Sequence, residues 1–251
     1  MSKVPFAFGL VGASLALAAH AQAQGYSRTA QRVLAQARAA AGGKSWNTLR
    51  GWHEVGVQGA ARYEAWLDPV RYGLRIETHE PAGLSVRGFN GGGDWRISAA
   101  GAVTGVDVSK AINEARTEAF YRVHGYFYPG RFDARGDYVG VRKFQGQAFD
   151  VVTVKPWGAA PRELWFDRRT HLLGRMVDRS GAKPLAWDLS DYRRVGSIRV
   201  AFHVTPEPGA ELPAAEGRQV ESLDFRPAER ALFSLPPPAA VATSPPIRDD
   251  R

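Results

Sequence analysis

Few residues in the chain are arranged to do chemistry. Gly43-Lys44-Ser45 reads like the end of a phosphate-binding loop, but that motif needs a glycine five residues before Gly43, where Arg38 stands. Gly91-Gly92-Gly93 lies between two strand-like stretches and has no helix N-terminus to present its N–H groups to a phosphate. Of the 6 histidines, His53, His79, His124, His171 and His203 are far apart, and no pair has the spacing of a local metal clamp. Ser85 lacks the second glycine of a nucleophile elbow, and Ser180 sits in a turn composition. Asp133 and Asp137, like Asp188 and Asp191, have the placement of turn acids. We therefore expect no catalytic residue, no metal and no cofactor. A hydrolytic site assembled from distant strands, two of His53, His79 and His203 meeting a carboxylate, is the one enzymatic alternative.

The chain is instead rich in apolar surface. Its 7 Trp, 8 Tyr and 12 Phe supply a packed core, and a concave apolar face would draw on the same residues. From Trp46 onward the hydrophobic period is two. Trp52–Gln58, Arg62–Asp68, Val70–Thr78, Leu84–Phe89 and Trp95–Ser98 read as strands, followed by Asp137–Phe144, Ala148–Lys155, Arg162–Asp167, Leu172–Asp178, Leu185–Arg193, Ile198–Thr205 and Gln219–Phe225. Asn90 to Asp94 and Asp167 to Thr170 have hairpin-turn compositions. Two segments have helical spacing: Arg28 to Ala41, preceded by Ser27 and ended by Gly42-Gly43, and a second from Ser109 to His124. A sheet of about a dozen antiparallel strands must curl to bury its apolar face. The expected architecture is mainly β with α: an open, unclosed antiparallel barrel whose concave side is covered by helices.

Such a mouth suits an apolar ligand, since each buried CH₂ of an acyl chain gains ~0.8 kcal/mol. One-face alternation selects Val55, Val57, Tyr63, Leu67, Leu74, Ile76, Val86, Trp95, Ile97, Val151, Leu164, Phe166 and Met176 as the lining, with Phe120 from the second helix. That helix, Ser109–His124, with Ile112 on it, and the following loop Tyr126, Phe127 and Tyr128 form the candidate lid.

The ends of the chain carry separate signals. Lys3, the uncharged run Val4 to Ala19 and the small-residue pattern Ala19 to Ala23 read as a cleaved export signal over residues 1–23. The apolar run is short of the ~20 residues that cross a membrane. With no Cys the chain has neither a lipid-attachment site nor a disulfide, so a hydrophobic core must stabilise the domain, placed at 26–235. Pro236-Pro237-Pro238 and Ser244-Pro245-Pro246 mark a Pro-rich tail, 236–251. The net charge of +8 would, in an exported protein, suit anionic lipid headgroups rather than nucleic acid, but it is scattered, as general solvation of a basic surface is, with transient contact with an anionic membrane surface as the alternative.

Glu163-Leu164-Trp165-Phe166-Asp167, then Thr170-His171-Leu172-Leu173-Gly174-Arg175, and later Leu189-Ser190-Asp191-Tyr192-Arg193 and Phe202 follow one another in a familiar order. Together with the N-terminal helix, Gly-Gly and Trp46, this order resembles the periplasmic superfamily of outer-membrane lipoprotein carriers and receptors and their stress-sensor relatives (LolA/LolB-like, RseB-like). The resemblance implies the open barrel, a periplasmic location and an arginine that ties down the lid. It implies a carrier of lipid or lipoprotein acyl chains for sorting toward the outer membrane. An envelope-sensing module that binds a protein partner without lipid is the alternative.

Overall fold

A computed structural model describes residues 25–106, 109–208 and 217–235. The expected export signal (1–23) and Pro-rich tail (236–251) lie outside the described residues. Thirteen strands form a single sheet: β1 (Trp52–Gln58), β2 (Ala61–Asp68), β3 (Gly73–Glu80), β4 (Gly83–Phe89), β5 (Asp94–Ile97), β6 (Val103–Val106), β7 (Ala134–Phe144), β8 (Gln147–Pro156), β9 (Arg162–Asp167), β10 (Leu173–Asp178), β11 (Leu185–Val195), β12 (Ile198–Pro206) and β13 (Arg218–Asp224). Their spatial order is β6-β5-β4-β3-β2-β1-β13-β12-β11-β10-β9-β8-β7, with β6 and β7 at the two edges. Each of these pairings is antiparallel, and the sheet does not close. The expected open barrel of about a dozen strands is therefore the observed architecture.

Among the described residues three α-helices accompany the sheet: α1 (Arg28–Ala40), α2 (Ser45–Thr48) and α3 (Ser109–Arg122). α1 buries Ala30, Val33, Leu34 and Ala37, the stripe its 3.6-residue period predicts, and packs near β7 and β8. Ser27 occupies its N-cap position, but its side chain makes no cap hydrogen bond. At the other end Gly43 N–H donates to Arg38 O at 2.8 Å while Gly42 and Gly43 take positive φ, the glycine-ended stop expected there. Just before α1, Tyr26 forms an isolated bridge to Gly136, touching the outer backbone of edge strand β7.

Turn chemistry sets the strand boundaries. β3 begins at Gly73 rather than Val70 because the Asp68 carboxylate accepts from the Val70 and Arg71 N–H groups and holds residues 69–72 as a turn. Asn90 Oδ1 accepts from Gly92 and Gly93, and Asp167 Oδ1 from Arg169 and Thr170, closing the two expected hairpins.

The main core lies between the inner face of the sheet and the helices. Leu67, Leu74, Phe89, Val152, Leu164 and Phe166 from strands meet Val33, Leu34, Phe120 and Trp46. Trp46 is fully buried, donates Nε1–H to Ala41 O at 3.1 Å and packs edge-on against Phe127.

Candidate functional site

α3 links β6 to β7, and so joins the two edges of the sheet across its inner face. Between helix and sheet lies a cavity of about 1200 Å³, large for a small-molecule site. Its two walls differ. On β10–β12 the lining is mainly apolar: Leu173, Met176, Trp187, Leu189, Val200 and Val204. On β1, β4, α3 and β13 it is charged: Glu54, Arg87, Glu118, Arg122 and Arg218.

The charged wall is a connected network. Glu54 is 1% exposed. Its Oε2 accepts from Trp52 Nε1 at 2.8 Å. Its Oε1 accepts from Arg122 Nη2 at 2.8 Å and from Tyr63 Oη at 3.2 Å, while Arg218 Nε stands 3.7 Å away. Arg87 Nη1 donates to Glu118 Oε2 at 2.5 Å, and Arg162 pairs with Asp178 at 3.4 Å. Burial pushes the Glu54 carboxyl up, but Arg218, Arg122 and its two hydrogen-bond donors outweigh burial and hold it below the usual carboxylate range. Burial likewise opposes ionisation of Glu118, and Arg87, Arg122, Arg162 and Arg218 overcome it. Both carboxylates are therefore charged at neutral pH.

His124 closes the floor of the cavity. It takes a left-handed backbone (φ 55°), stacks on Trp52 and donates Nδ1–H to Arg122 O at 3.1 Å. Burial pushes its imidazole down to about 4, so it is neutral.

Among the described residues no group of three or more His, Asp or Glu gathers where it could hold a metal ion. His53 lies on the outer face between Glu64 (2.7 Å), Asp224 (3.2 Å) and Arg226 (2.6 Å), where it meets no second histidine. His79 and His203 are exposed. Among the described residues no helix is long and apolar enough to cross a membrane.

No protein-family model matches the chain. No curated protein sequence matches it either. Solved structures do. A LolA superfamily protein from Nitrosomonas europaea aligns with a TM-score of 0.52 at 12% identity, over 82% of this chain and 97% of that one. A DUF1329 family protein from Desulfovibrio piger aligns with a TM-score of 0.54 at 12% identity, over 83% and 98%. The chain has the LolA-superfamily fold.

Within this LolA-type sheet the expected lining residues divide between two faces. Arg122 of α3 meets Glu54, so even-numbered residues of β1 face inward, and cross-strand register carries that assignment to neighbouring strands. Tyr63, Leu67, Leu74, Ile76, Leu164, Phe166 and Met176 share the inner face, with Phe120 packed above it. Of these, Ile76 and Met176 line the cavity, Tyr63 hydrogen-bonds its floor, and Leu67, Leu74, Phe120, Leu164 and Phe166 belong to the core beside it. Val55 and Val57 lie on the outer face with His53. Val86, Trp95 and Ile97 also sit at outer-face register, although Val86 and Ile97 reach the cavity border. Trp95 donates Nε1–H to Phe233 O at 2.9 Å and is covered by the turn Arg230–Phe233. Val151 pairs with Trp165 on the outer face of β8.

Of the expected lid, the helix lies over the cavity and the Tyr126–Tyr128 loop is built into the core. Tyr126, Phe127 and Tyr128 are each at most 5% exposed, and Tyr128 Oη donates to Trp46 O at 2.8 Å. Ile112 packs half-buried against the same core. The element covering the cavity is α3 itself, through Asn113, Glu114, Thr117, Glu118 and Tyr121. The arginines that tie it to the sheet are Arg87 on β4 and, from the helix side, Arg122.

The charged wall was outside the expected lining, which was apolar throughout. A charged residue inside an otherwise apolar strand, as Glu54 is between Trp52 on one side and Val55 and Val57 on the other, was the available signal.

Proposed function

We propose that this protein binds a lipid, or the acyl part of a lipoprotein, between α3 and the sheet, and carries it through the bacterial periplasm toward the outer membrane. The observation that supports this is the cavity of about 1200 Å³ bounded on one side by Met176, Trp187, Leu189, Val200 and Val204. An acyl chain laid along that wall loses contact with water without leaving a polar group unpaired. Loading opens α3, which is held by the ion pairs Arg87–Glu118 and Arg122–Glu54, by Tyr121 Oη donating to Val154 O and Ala160 O, and by Ala160 N–H donating to Thr117 Oγ1. Export by the N-terminal signal puts the protein where such cargo travels. The basic surface allows brief contact with anionic membranes during loading and release.

The test is native mass spectrometry with lipid extraction, on protein purified from its own periplasm without detergent. A stoichiometric acylated species released on denaturation is expected. Bare protein that also refuses an added fluorescent fatty-acyl probe excludes the carrier role.

A second reading, an envelope-sensing module that binds protein, draws on the ion pairs that cross the cavity floor, Glu54–Arg122 and Arg87–Glu118. It predicts no acyl cargo and no probe uptake.

A further inference from the structure

The two walls of the cavity ask for different parts of one molecule. On the apolar side the cross-strand row Leu189–Val204 runs directly into Arg218, which opposes Val204 on one flank and Gln58 on the other. Arg218 stands beside Glu54, as does Arg122 from α3.

These two guanidinium groups are poorly satisfied. Both look to the same carboxylate oxygen, Glu54 Oε1, which Tyr63 also uses. Arg122 takes the short position. Arg218 is left at 3.7 Å, beyond hydrogen-bond distance. The remaining partner in reach, Glu118, is 3.6 Å from Arg122 Nη1 and already holds Arg87 at 2.5 Å. In consequence Arg122 Nε, Arg122 Nη1 and Arg218 Nε are buried without a hydrogen-bond acceptor among the described residues. The Arg122 side chain is only 9% exposed. Arg87 and Arg162 differ in having further carboxylates, Asp94 and Asp178. Arg122 and Arg218 are thus the two guanidinium groups that share one close carboxylate, Glu54.

Buried guanidinium donors lacking an acceptor are costly, and a phosphate or carboxylate is the group whose geometry they match best. We infer that Arg122 and Arg218 form a head-group site for an anionic amphiphile, whose phosphate or carboxylate sits between them while its chain runs along Val204, Leu189 and Met176. The inference rests on the cavity being a lipid site and adds the charge and orientation of the ligand.

The test measures displacement of a neutral apolar dye from the whole protein by dodecyl phosphate, by dodecanol and by inorganic phosphate. Dodecyl phosphate should displace the dye at least about tenfold more tightly than dodecanol, the gain of one hydrogen-bonded charge pair. Arg218→Gln should bring the two within about twofold of each other while leaving dodecanol unchanged. Should that variant fail to fold, the pair Glu54→Gln with Arg218→Gln removes one charge of each sign and should give the same convergence. Equal displacement by dodecyl phosphate and dodecanol in the wild type overturns the head-group site and leaves the lipid cavity standing. Inorganic phosphate acting as tightly as dodecyl phosphate shows a free-anion site and overturns the amphiphile. Absence of dye uptake overturns the cavity reading, and this inference with it.

Discussion

Arg122 Nη2 lies 2.8 Å from Glu54 Oε1, joining the helix that links the two sheet edges to a strand near the middle of the sheet. Neither group makes sense alone. Glu54 is buried at a strand position where an apolar side chain would be ordinary, and Arg122 is buried near the end of a helix.

Removing one partner should therefore cost more than removing an ordinary surface ion pair. Glu54→Ala leaves Arg122 and Arg218 buried without their common anion and should lower stability by about 3–5 kcal/mol. Glu54→Gln keeps the shape, and its one amide oxygen can still accept from Trp52 Nε1 while its NH2 donates to Tyr63 Oη, so it should cost less. Urea unfolding of both variants checks the order.

Acid should act in two stages. Unfolded histidine titrates near 6.5, whereas His124 in the fold is pushed down to about 4. The unfolded chain thus takes up its proton first, and stability should be complete above pH 6.5 and decline as the pH falls toward 4. For Glu54 and Glu118 the folded carboxyls lie below their ordinary range, so their contribution persists above that range and is lost as the pH falls through the folded values. His124→Asn keeps a residue that tolerates the left-handed backbone and should abolish only the first stage, as read by melting temperature against pH.

Cavity and outer face should separate by mutation. Met176→Trp projects bulk into the cavity and should reduce uptake of a fatty-acyl probe several-fold with a small change in melting temperature. Trp95→Phe removes the hydrogen bond to Phe233 O on the other face and should cost about 1 kcal/mol of stability with probe uptake unchanged. Loss of probe uptake in Trp95→Phe would place Trp95 functionally in the cavity, against its register.

Gly88 gives an independent check on that outer-face packing. A Cβ there would fall 2.0 Å from the Trp95 indole, which has Phe233 O beyond it. Gly88→Ala should destabilise by about 3 kcal/mol or more, a strained overpacking that thermal unfolding will detect.

Strands were legible in the sequence wherever one face was plainly apolar. β2 and β3 alternate Tyr63, Ala65, Leu67 and Leu74, Ile76 against Arg62, Glu64 and Arg75, and their inner faces follow directly. β6 escaped because Ala99 to Val106 is small and glycine-rich and shows little alternation. β1 gave the opposite face. Val55 and Val57 are more apolar than Glu54 and Gln58, and the cations that make Glu54 tolerable inside come from α3 and β13, far along the chain. The turn Arg230–Phe233 had a similar effect at β5: it buries Trp95 from outside, so apolarity there marked a second covered surface. In β8 both Val151 and Val152 are fully buried, and period two carries no information about which face is which. The orphaned donors of Arg122 and Arg218 are properties of three-dimensional distance and have no sequence counterpart.

An unclosed sheet invites another chain to continue its ladder. Here β6 offers only four residues, and β7 is interrupted by a register shift between Tyr138 and Gly140, studded with Arg135, Asp137, Arg142 and Lys143, and touched by Tyr26 along its outer side. Short length, irregularity and charge each oppose strand-by-strand addition. The open barrel is thereby guarded against polymerising through its own rims.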